Sequence, residues 1–335
     1  MQPFRYVRPA DEAAALKEAA APGAAFIGGG TLLVDLMKLG VATPATVVDL
    51  TGLGPALAEI KEVQGGGAKP GLTIGALARN SDVAYHPAVR ERYPALAQAL
   101  LSGASPQVRN MATVGGNLMQ RTRCAYFRDV GVRECNKRAP GSGCAAQAEG
   151  AWSRMQAVLG GSARCIAVHP SDMCVALAAL DAVVHTAGRG GARAIPVADF
   201  HTLPGEHPEV ETALRPGELI THVTIPASPF AARSRYVKVR DRASFAFALA
   251  SAAVALEMHG ERVGAVRIAL GGVATKPWRA RAAEAALAGG TLAPAELRHA
   301  AEVALAGAVP RGDNAFKPEL ARRTIVHALQ LARAS

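Results

Sequence analysis

The sequence predicts a mixed α and β protein, α/β in its first third and α+β at its end, and three observations lead there. Short apolar strands alternate with helical segments through roughly the first 110 of its 335 residues. Much later, "FAFALASAAVALEMHGERVGAVRIALGGV" reads as two long strands joined at His259-Gly260-Glu261, a hairpin rather than a crossover, followed by Ala/Leu-rich helices. Between these parts, from Arg109 to about Arg164, lies a Gly- and Arg-rich segment with neither period, and an irregular stretch of that length in a compact chain is usually functional or disordered.

Each element follows from its residues. "DEAAALKEAAA" is helical, with Asp11 placed to cap it and Pro22-Gly23 to end it. "AAFIGGGTLLVDLMKLG" runs from a short apolar strand through three glycines into an apolar-periodic helix. "ATVVDLTGL" and "LTIGAL" are further strands, and "NSDVAYHPAVRERYPALAQALLSGA" is helical, with Asn80 or Ser81 as a cap. "HPSDMCVALAALDAVVHTAG" restores regularity after the irregular segment, with Ser171 or Asp172 opening a helix and "AVVHT" the strand after it. Ile225-Pro226-Ala227-Ser228-Pro229 marks a domain boundary, and the length prior gives roughly two or three domains.

Bulk composition excludes several classes. Half of the residues are hydrophobic and 19% charged, so the chain can bury a large core. The longest apolar run, "FAFALASAAVALEM", is too short for a membrane span. The opening residues lack an apolar segment followed by a small-residue cleavage site, so the expectation is a cytoplasmic chain whose export would need a partner. The net charge of +10 raises nucleic acid as a partner, yet aromatic residues are only 4% and no Arg/aromatic stripe offers a stacking platform. Five cysteines is an odd and sparse set, which favours a reducing compartment or a metal centre over a disulfide framework.

Two glycine turns are candidates for ligand binding. Gly28-Gly29-Gly30-Thr31 stands between strand and helix, where backbone N–H groups can meet phosphate oxygens, though it is neither G-x-G-x-x-G nor a Walker loop. In "RNMATVGGNLMQ", Thr113, Gly115, Gly116 and Asn117 repeat the combination of close approach and hydrogen-bonding groups. Two such loops suggest one diphosphate held from both sides.

Cys124, Cys135, Cys144 and Cys165 are separated by ten, eight and twenty residues, which matches neither paired zinc-ribbon nor compact ferredoxin spacing. Arg121, Arg123, Arg128, Arg133, Lys137, Arg138, Arg154 and Arg164 lie near them in sequence. Positive charge favours thiolate and offsets a negatively charged iron–sulfur centre, so four-thiolate metal binding is preferred over disulfides or unconnected thiols. Cys174, inside "DMCVALAAL", reads as a small buried hydrophobe. His169, His185, His201, His207 and His222 show no metal-ligand grouping, and no nucleophile elbow or S-x-x-K supports hydrolase chemistry.

In order along the chain, "FIGGGTLLVDLMK", "QVRNMATVGGNL", "HPSDMCVALAALDA", "PGELI", "YVKVRDRASFAFALASAAVAL" and "ALGGVATKPWRA" resemble the FAD-binding medium subunit of molybdenum hydroxylases, the xanthine dehydrogenase and carbon monoxide dehydrogenase group. "QRTRCAYFRD…ECNKRAPGSGCAA…CIAVHPSDM" is similar to the subset with an additional [4Fe-4S] cluster, above all the FAD and [4Fe-4S] subunit of bacterial periplasmic-type aldehyde oxidoreductases, while benzoyl-CoA-type reductases carry such an insertion too. The resemblance implies an α+β fold: a two-subdomain FAD-binding PCMH-type, vanillyl-alcohol-oxidase-like region over 1–225 and a small C-terminal α+β domain over 226–335. Its subdomains would be about 1–55 and 56–225, with the cluster insertion at about 119–168.

The same resemblance implies roles. Phe26, Ile27, Gly28, Gly29, Gly30, Thr31, Leu32 and Leu33 would line the adenosine diphosphate part of FAD, with Thr113, Gly116 and Asn117 across the diphosphate and Asp172 as a further ligand. Ile220 would approach the flavin by packing and Lys238 by charge or hydrogen bonding; Cys124, Cys135, Cys144 and Cys165 would bind the cluster. The expected activity is electron transfer in a heterotrimer, from a molybdopterin-binding large subunit that oxidises an aldehyde, through two [2Fe-2S] clusters on a small subunit, to FAD and an external acceptor such as an acidic ferredoxin. No general acid or base is expected here. The competing readings are a free-standing flavin oxidoreductase and a non-redox binding protein stabilised by four-cysteine zinc. After "GGN" the chain departs from the usual small-residue stretch and delays "PSD" by about fifty residues, so the cluster loop interrupts the flavin motif.

Overall fold

The computed structural model describes residues 1–63 and 70–335. It places three sheets along the chain. The first is parallel, with β1 (Arg5–Val7) and β2 (Ala24–Ile27) on either side of β3 (Thr46–Asp49). Asp11 caps the first helix as its sequence position predicts, accepting from Ala14 N at 2.7 Å, and the helix runs Glu12–Ala19.

The second sheet is antiparallel, β4 (Ile60–Val63), β5 (Gly71–Gly75), β6 (Val183–Ala187), β7 (Arg193–Pro196) and β8 (Leu219–Ile225) in the spatial order β4-β5-β8-β6-β7. Leu72 and Ile74 of this sheet share one buried core with Leu96, Leu177 and Phe200 of the helices Pro94–Ser102, Asp172–Ala179 and Val197–Phe200. Each such side chain contributes about 1.5–3 kcal/mol through removal of apolar surface from water. Ser171 accepts from Cys174 N at 3.1 Å and so opens the second of these helices. Asn80, in contrast, lies inside a helix that starts with it and has Arg79 as its N-cap, because β-like pairing of Arg79 with Thr113 sets the boundary one residue earlier than the cap signal implies.

The third sheet is antiparallel in the order β12-β11-β10-β9, made of β9 (Ser234–Val239), β10 (Ala250–His259), β11 (Arg262–Gly271) and β12 (Trp278–Arg279). The hairpin turns at Gly260 between β10 and β11, as the sequence predicts. The helix Lys317–Arg333 covers this sheet and buries Ile325, Ala328 and Leu329 against Val254 and Ile268.

The segment between residues 119 and 168 is irregular but well bonded. It contains a short helix at Ala125–Arg128, a 3-10 turn at Ala145–Gln147, an isolated antiparallel bridge that sets Cys135 beside Cys144, and a parallel bridge from Leu159 to Ala274. Both of its ends are tied to the rest of the chain: Asn117 Oδ1 accepts from Ser171 Oγ at 2.7 Å, and Val158 N donates to Val273 O at 2.8 Å.

Candidate functional site

The first glycine turn is shaped by two residues. Gly30 has φ +72°, the left-handed region that glycine enters without steric cost. Gly29 lies so near the second loop that a Cβ there would stand 1.6 Å from Met111 O. The two glycine loops are thus in backbone contact, and Thr113 fixes the second by accepting from Gly116 N at 3.2 Å. Among the described residues the N–H groups of Gly29, Gly30 and Thr31 have no protein acceptor, which leaves them directed at a ligand.

These loops form the middle of an elongated crevice. One end, of about 300 Å³, is lined by Phe26 through Leu33, Thr113, Gly116 and Ile220. The other, of about 500 Å³, is lined by Asn117, Asp172 and Lys238, together with Arg109, Phe245 and Phe247. Thr31, Leu32 and Gly116 line both and join them. All residues expected to hold FAD therefore face one crevice, and the free N–H groups at its waist fit a diphosphate. Ile220 lines the first of these cavities and Lys238 the second.

Lys238 and Asp172 form a buried pair. Nζ lies 2.7 Å from Asp172 Oδ2 and donates to Ser102 O at 3.1 Å, which leaves one of its three N–H groups for a ligand. Tyr236 donates its hydroxyl to the other carboxylate oxygen; burial first, then the Asp172 charge, pushes the Tyr236 pKa well up and keeps that proton in place. Asn117 links the "GGN" and "PSD" motifs through its hydrogen bond from Ser171. Sequence reasoning missed Asn80, whose Oδ1 is buried without a partner and whose side chain lines the Lys238 end. Its only signal was a cap position, and the structure does not use it as one.

The four cysteines expected to act together all lie in the irregular segment, and an isolated bridge sets Cys135 beside Cys144. All are free thiols; Cys135 and Cys165 are buried, and Cys124 and Cys144 half-buried. They are near enough to act on one another electrostatically. Burial raises the Cys165 pKa to about 11, with Cys144 and Cys124 adding to the rise, while burial and then the Cys135 charge raise that of Cys124. Backbone N–H groups are directed at the sulfurs, including Ala167 N to Cys165 Sγ at 3.4 Å. Buried thiols that oppose each other's ionisation and receive N–H donors fit ligands of a multinuclear cluster, which removes their protons on binding, better than ligands of one ion, since among the described residues no three of these sulfurs are grouped within 4.8 Å.

The basic residues around them do something other than the sequence suggests. Arg123 and Arg128 pair with Asp35, Arg121 and Lys137 with Glu211, Arg154 with Asp241, and Arg164 with Glu206. Arg138 donates to the Tyr126 and Val132 carbonyls. Their charge is taken up by acids distant in sequence, so they fasten the insertion to both neighbouring domains. Among the described residues, Arg133 is exposed and in no ion pair.

His169 and His201, separate in sequence, meet Cys174 so that one ligand atom from each lies within 4.8 Å of the others. His201 Nε2 contacts Leu118 O at 2.9 Å, and the facing nitrogens, His169 Nε2 and His201 Nδ1, are buried without partners. Lys137 beside His169 and Lys276 beside His201 place positive charge next to both rings and act against a cation between them. Burial, reinforced by these neighbours, lowers the pKa of His169 well below its ordinary value and that of His201 to about 4, so both rings are neutral when folded. In the unfolded chain His201 titrates as an ordinary imidazole, at about 6.5. Its contribution to stability is therefore complete above that pH and lost as pH falls toward the folded value, up to about 3 kcal/mol. Thermal unfolding from about pH 7 down to about pH 4.5 is expected to show that decline, and His201→Gln to flatten it. An unchanged slope in the variant would place the acid sensitivity elsewhere.

Comparison with known proteins covers almost the whole chain. Residues 2–228 match the FAD binding domain in molybdopterin dehydrogenase, and residues 235–332 the CO dehydrogenase flavoprotein C-terminal domain. The aldehyde oxidoreductase FAD-binding subunit PaoB of Escherichia coli (strain K12) is 51% identical over 100% of this chain and 99% of its own length. Among solved structures, the reconstituted CO dehydrogenase from Oligotropha carboxidovorans aligns with TM-score 0.76 and 25% identity over 99% of this chain and 98% of that one. Quinoline 2-oxidoreductase from Pseudomonas putida 86 aligns with TM-score 0.75 and 26% identity over the same shares.

Proposed function

Because this chain belongs to the family of FAD-binding medium subunits of molybdenum hydroxylases, we propose that it is the electron-transfer FAD and [4Fe-4S] subunit of a heterotrimeric aldehyde oxidoreductase. In this reading a molybdopterin-binding large subunit oxidises the aldehyde, and a small [2Fe-2S] subunit lies between it and this chain. The observation that carries the reading is the single crevice with two glycine loops at its waist, found in a chain that matches an aldehyde oxidoreductase subunit from end to end.

Bound FAD supplies the electron-carrying chemistry, and the chain's residues bind and orient it. The N–H groups of Gly29, Gly30 and Thr31 would hold the diphosphate, and Phe26 and Ile220 would pack at one end. At the other end Lys238 would donate its remaining N–H, with its charge balanced by Asp172. Cys124, Cys135, Cys144 and Cys165 would hold the [4Fe-4S] cluster. A cluster beside the flavin site is supported by the Asn117–Ser171 link, which brings the insertion back to the crevice where it left.

Absorption and metal content of the purified protein test this. FAD bands together with iron and acid-labile sulfide support it. A colourless chain with zinc overturns it in favour of a structural zinc site, and aldehyde turnover by the isolated chain overturns it in favour of a free-standing flavin oxidoreductase.

For the acceptor we propose an acidic redox protein of the ferredoxin kind that meets Arg133. Arg133→Glu is expected to slow reduction of such a protein severalfold at low salt and to leave ferricyanide reduction unchanged; equal effects on both would refute the contact. The complex is proposed to reside in the cytoplasm, or in the periplasm when a partner bears an export signal, and fractionation of cells separates the two.

A further inference from the structure

The turn that contributes Gln156 is bonded within its own insertion, through Gln156 N to Ser153 O and Ala157 N to Ile166 O, and is also held from the C-terminal domain. Gln156 is 1% exposed, and its side-chain Nε2 lies 3.3 Å from Cys124 Sγ. Its backbone carbonyl accepts from Lys317 Nζ at 3.0 Å and Asn314 Nδ2 at 3.4 Å, and Lys317 also donates to Gly272 O at 2.7 Å. Lys317 is itself fully buried at the start of the last helix, a costly place for an ammonium group unless its donors are used. Burial lowers its pKa to about 7. Flanking contacts make the hold firm: Ser153 Oγ donates to Arg311 O at 2.7 Å and accepts from Asp313 N at 2.9 Å. Of the two ends of the Gln156 amide, only the N–H end is attracted by a thiolate sulfur.

We propose that Gln156 is a positioning residue for the four-cysteine centre: its amide donates to Cys124 Sγ and raises the reduction potential of a cluster bound there, and Lys317 holds it in place. The inference rests on the [4Fe-4S] reading of the cysteines. Hydrogen bonds to ligand sulfur stabilise the more negative, reduced cluster, and they are among the factors that set iron–sulfur potentials. The C-terminal domain, which contributes no cysteine to the centre, thereby reaches its electronic state through one amide.

The test is a spectroscopically monitored redox titration of the full chain. Gln156→Leu is expected to make reduction of the cluster about tenfold less favourable, which is about 59 mV for a one-electron couple. Gln156→Glu, close to glutamine in shape, is expected to shift it the same way and further, because a carboxylate repels the sulfur. Lys317→Met is expected to give a smaller shift of the same sign. Gln147→Leu serves as the control, since that side chain lies in the same insertion but donates to the Ser162 and Ala163 carbonyls, and its potential should equal that of the unaltered chain. Unchanged potentials in both Gln156 variants, with iron and sulfide at full content, overturn the inference and leave the cluster reading standing. Absence of iron and sulfide from the unaltered chain refutes the cluster reading itself.

Discussion

Cys165→Ser is expected to remove most of the iron and acid-labile sulfide from the purified protein while its FAD content stays near that of the unaltered chain. Cys165 follows the other three after twenty intervening residues, and its position is set by Ser162 Oγ, which accepts from Cys165 N at 3.3 Å. A serine hydroxyl has a much higher pKa than a thiol and does not replace a soft thiolate on iron. Cys165 lines a third cavity, of about 490 Å³, that adjoins the FAD crevice at Phe26, Leu32 and Leu33, but Cys165 itself lines neither end of that crevice, so flavin contacts are kept. Cys174→Ser is the informative comparison. That thiol is completely buried in the helix Asp172–Ala179 and bonded to Asn117 O, and its loss should leave iron untouched. Full iron in Cys165→Ser would mean that the ligand set is wrongly assigned.

Gly29→Ala should have the opposite selectivity. The added methyl would occupy the place of Met111 O, and a main-chain oxygen cannot turn away as a side chain can. The two glycine loops must separate, at a cost of about 1–3 kcal/mol for overpacking, and the waist of the crevice opens. FAD content is expected to fall at least about tenfold, corresponding to about 1.4 kcal/mol of binding free energy, with iron content largely retained. Gly307→Ala, where the space around the new methyl is open, is the matched control. Retention of FAD by Gly29→Ala would show that the N–H groups of this turn do not hold the diphosphate.

Much of this site is visible in the sequence because its parts are local. A strand, three glycines and a helix state a tight turn on their own, and Asp11 and Ser171 announce the caps they become. The β10–β11 hairpin follows from two apolar runs and one turn. Contacts between distant segments carry no such local signal. Asp35 gives no hint in sequence that it takes Arg123 and Arg128, about ninety positions away, so the arginines read as a free basic surface when they are mostly neutralised. The same holds for Lys317: an ordinary exposed lysine by composition, it is buried because the last helix sets it over two carbonyls. The convergence of His169, His201 and Cys174 is likewise a product of packing, invisible to any search for short ligand spacings.

The hydrogen bond between Asn117 and Ser171 spans 54 positions in sequence and 2.7 Å in space. It turns everything between them into a closed excursion whose two feet stand side by side. The entropy of closing such a loop grows only with the logarithm of its length, about 0.6 kcal/mol for each doubling. A long excursion at this point therefore costs the fold little more than a short one. The excursion gives back Gln120, Arg123 and Arg128 to the crevice wall and carries the four cysteines beyond it.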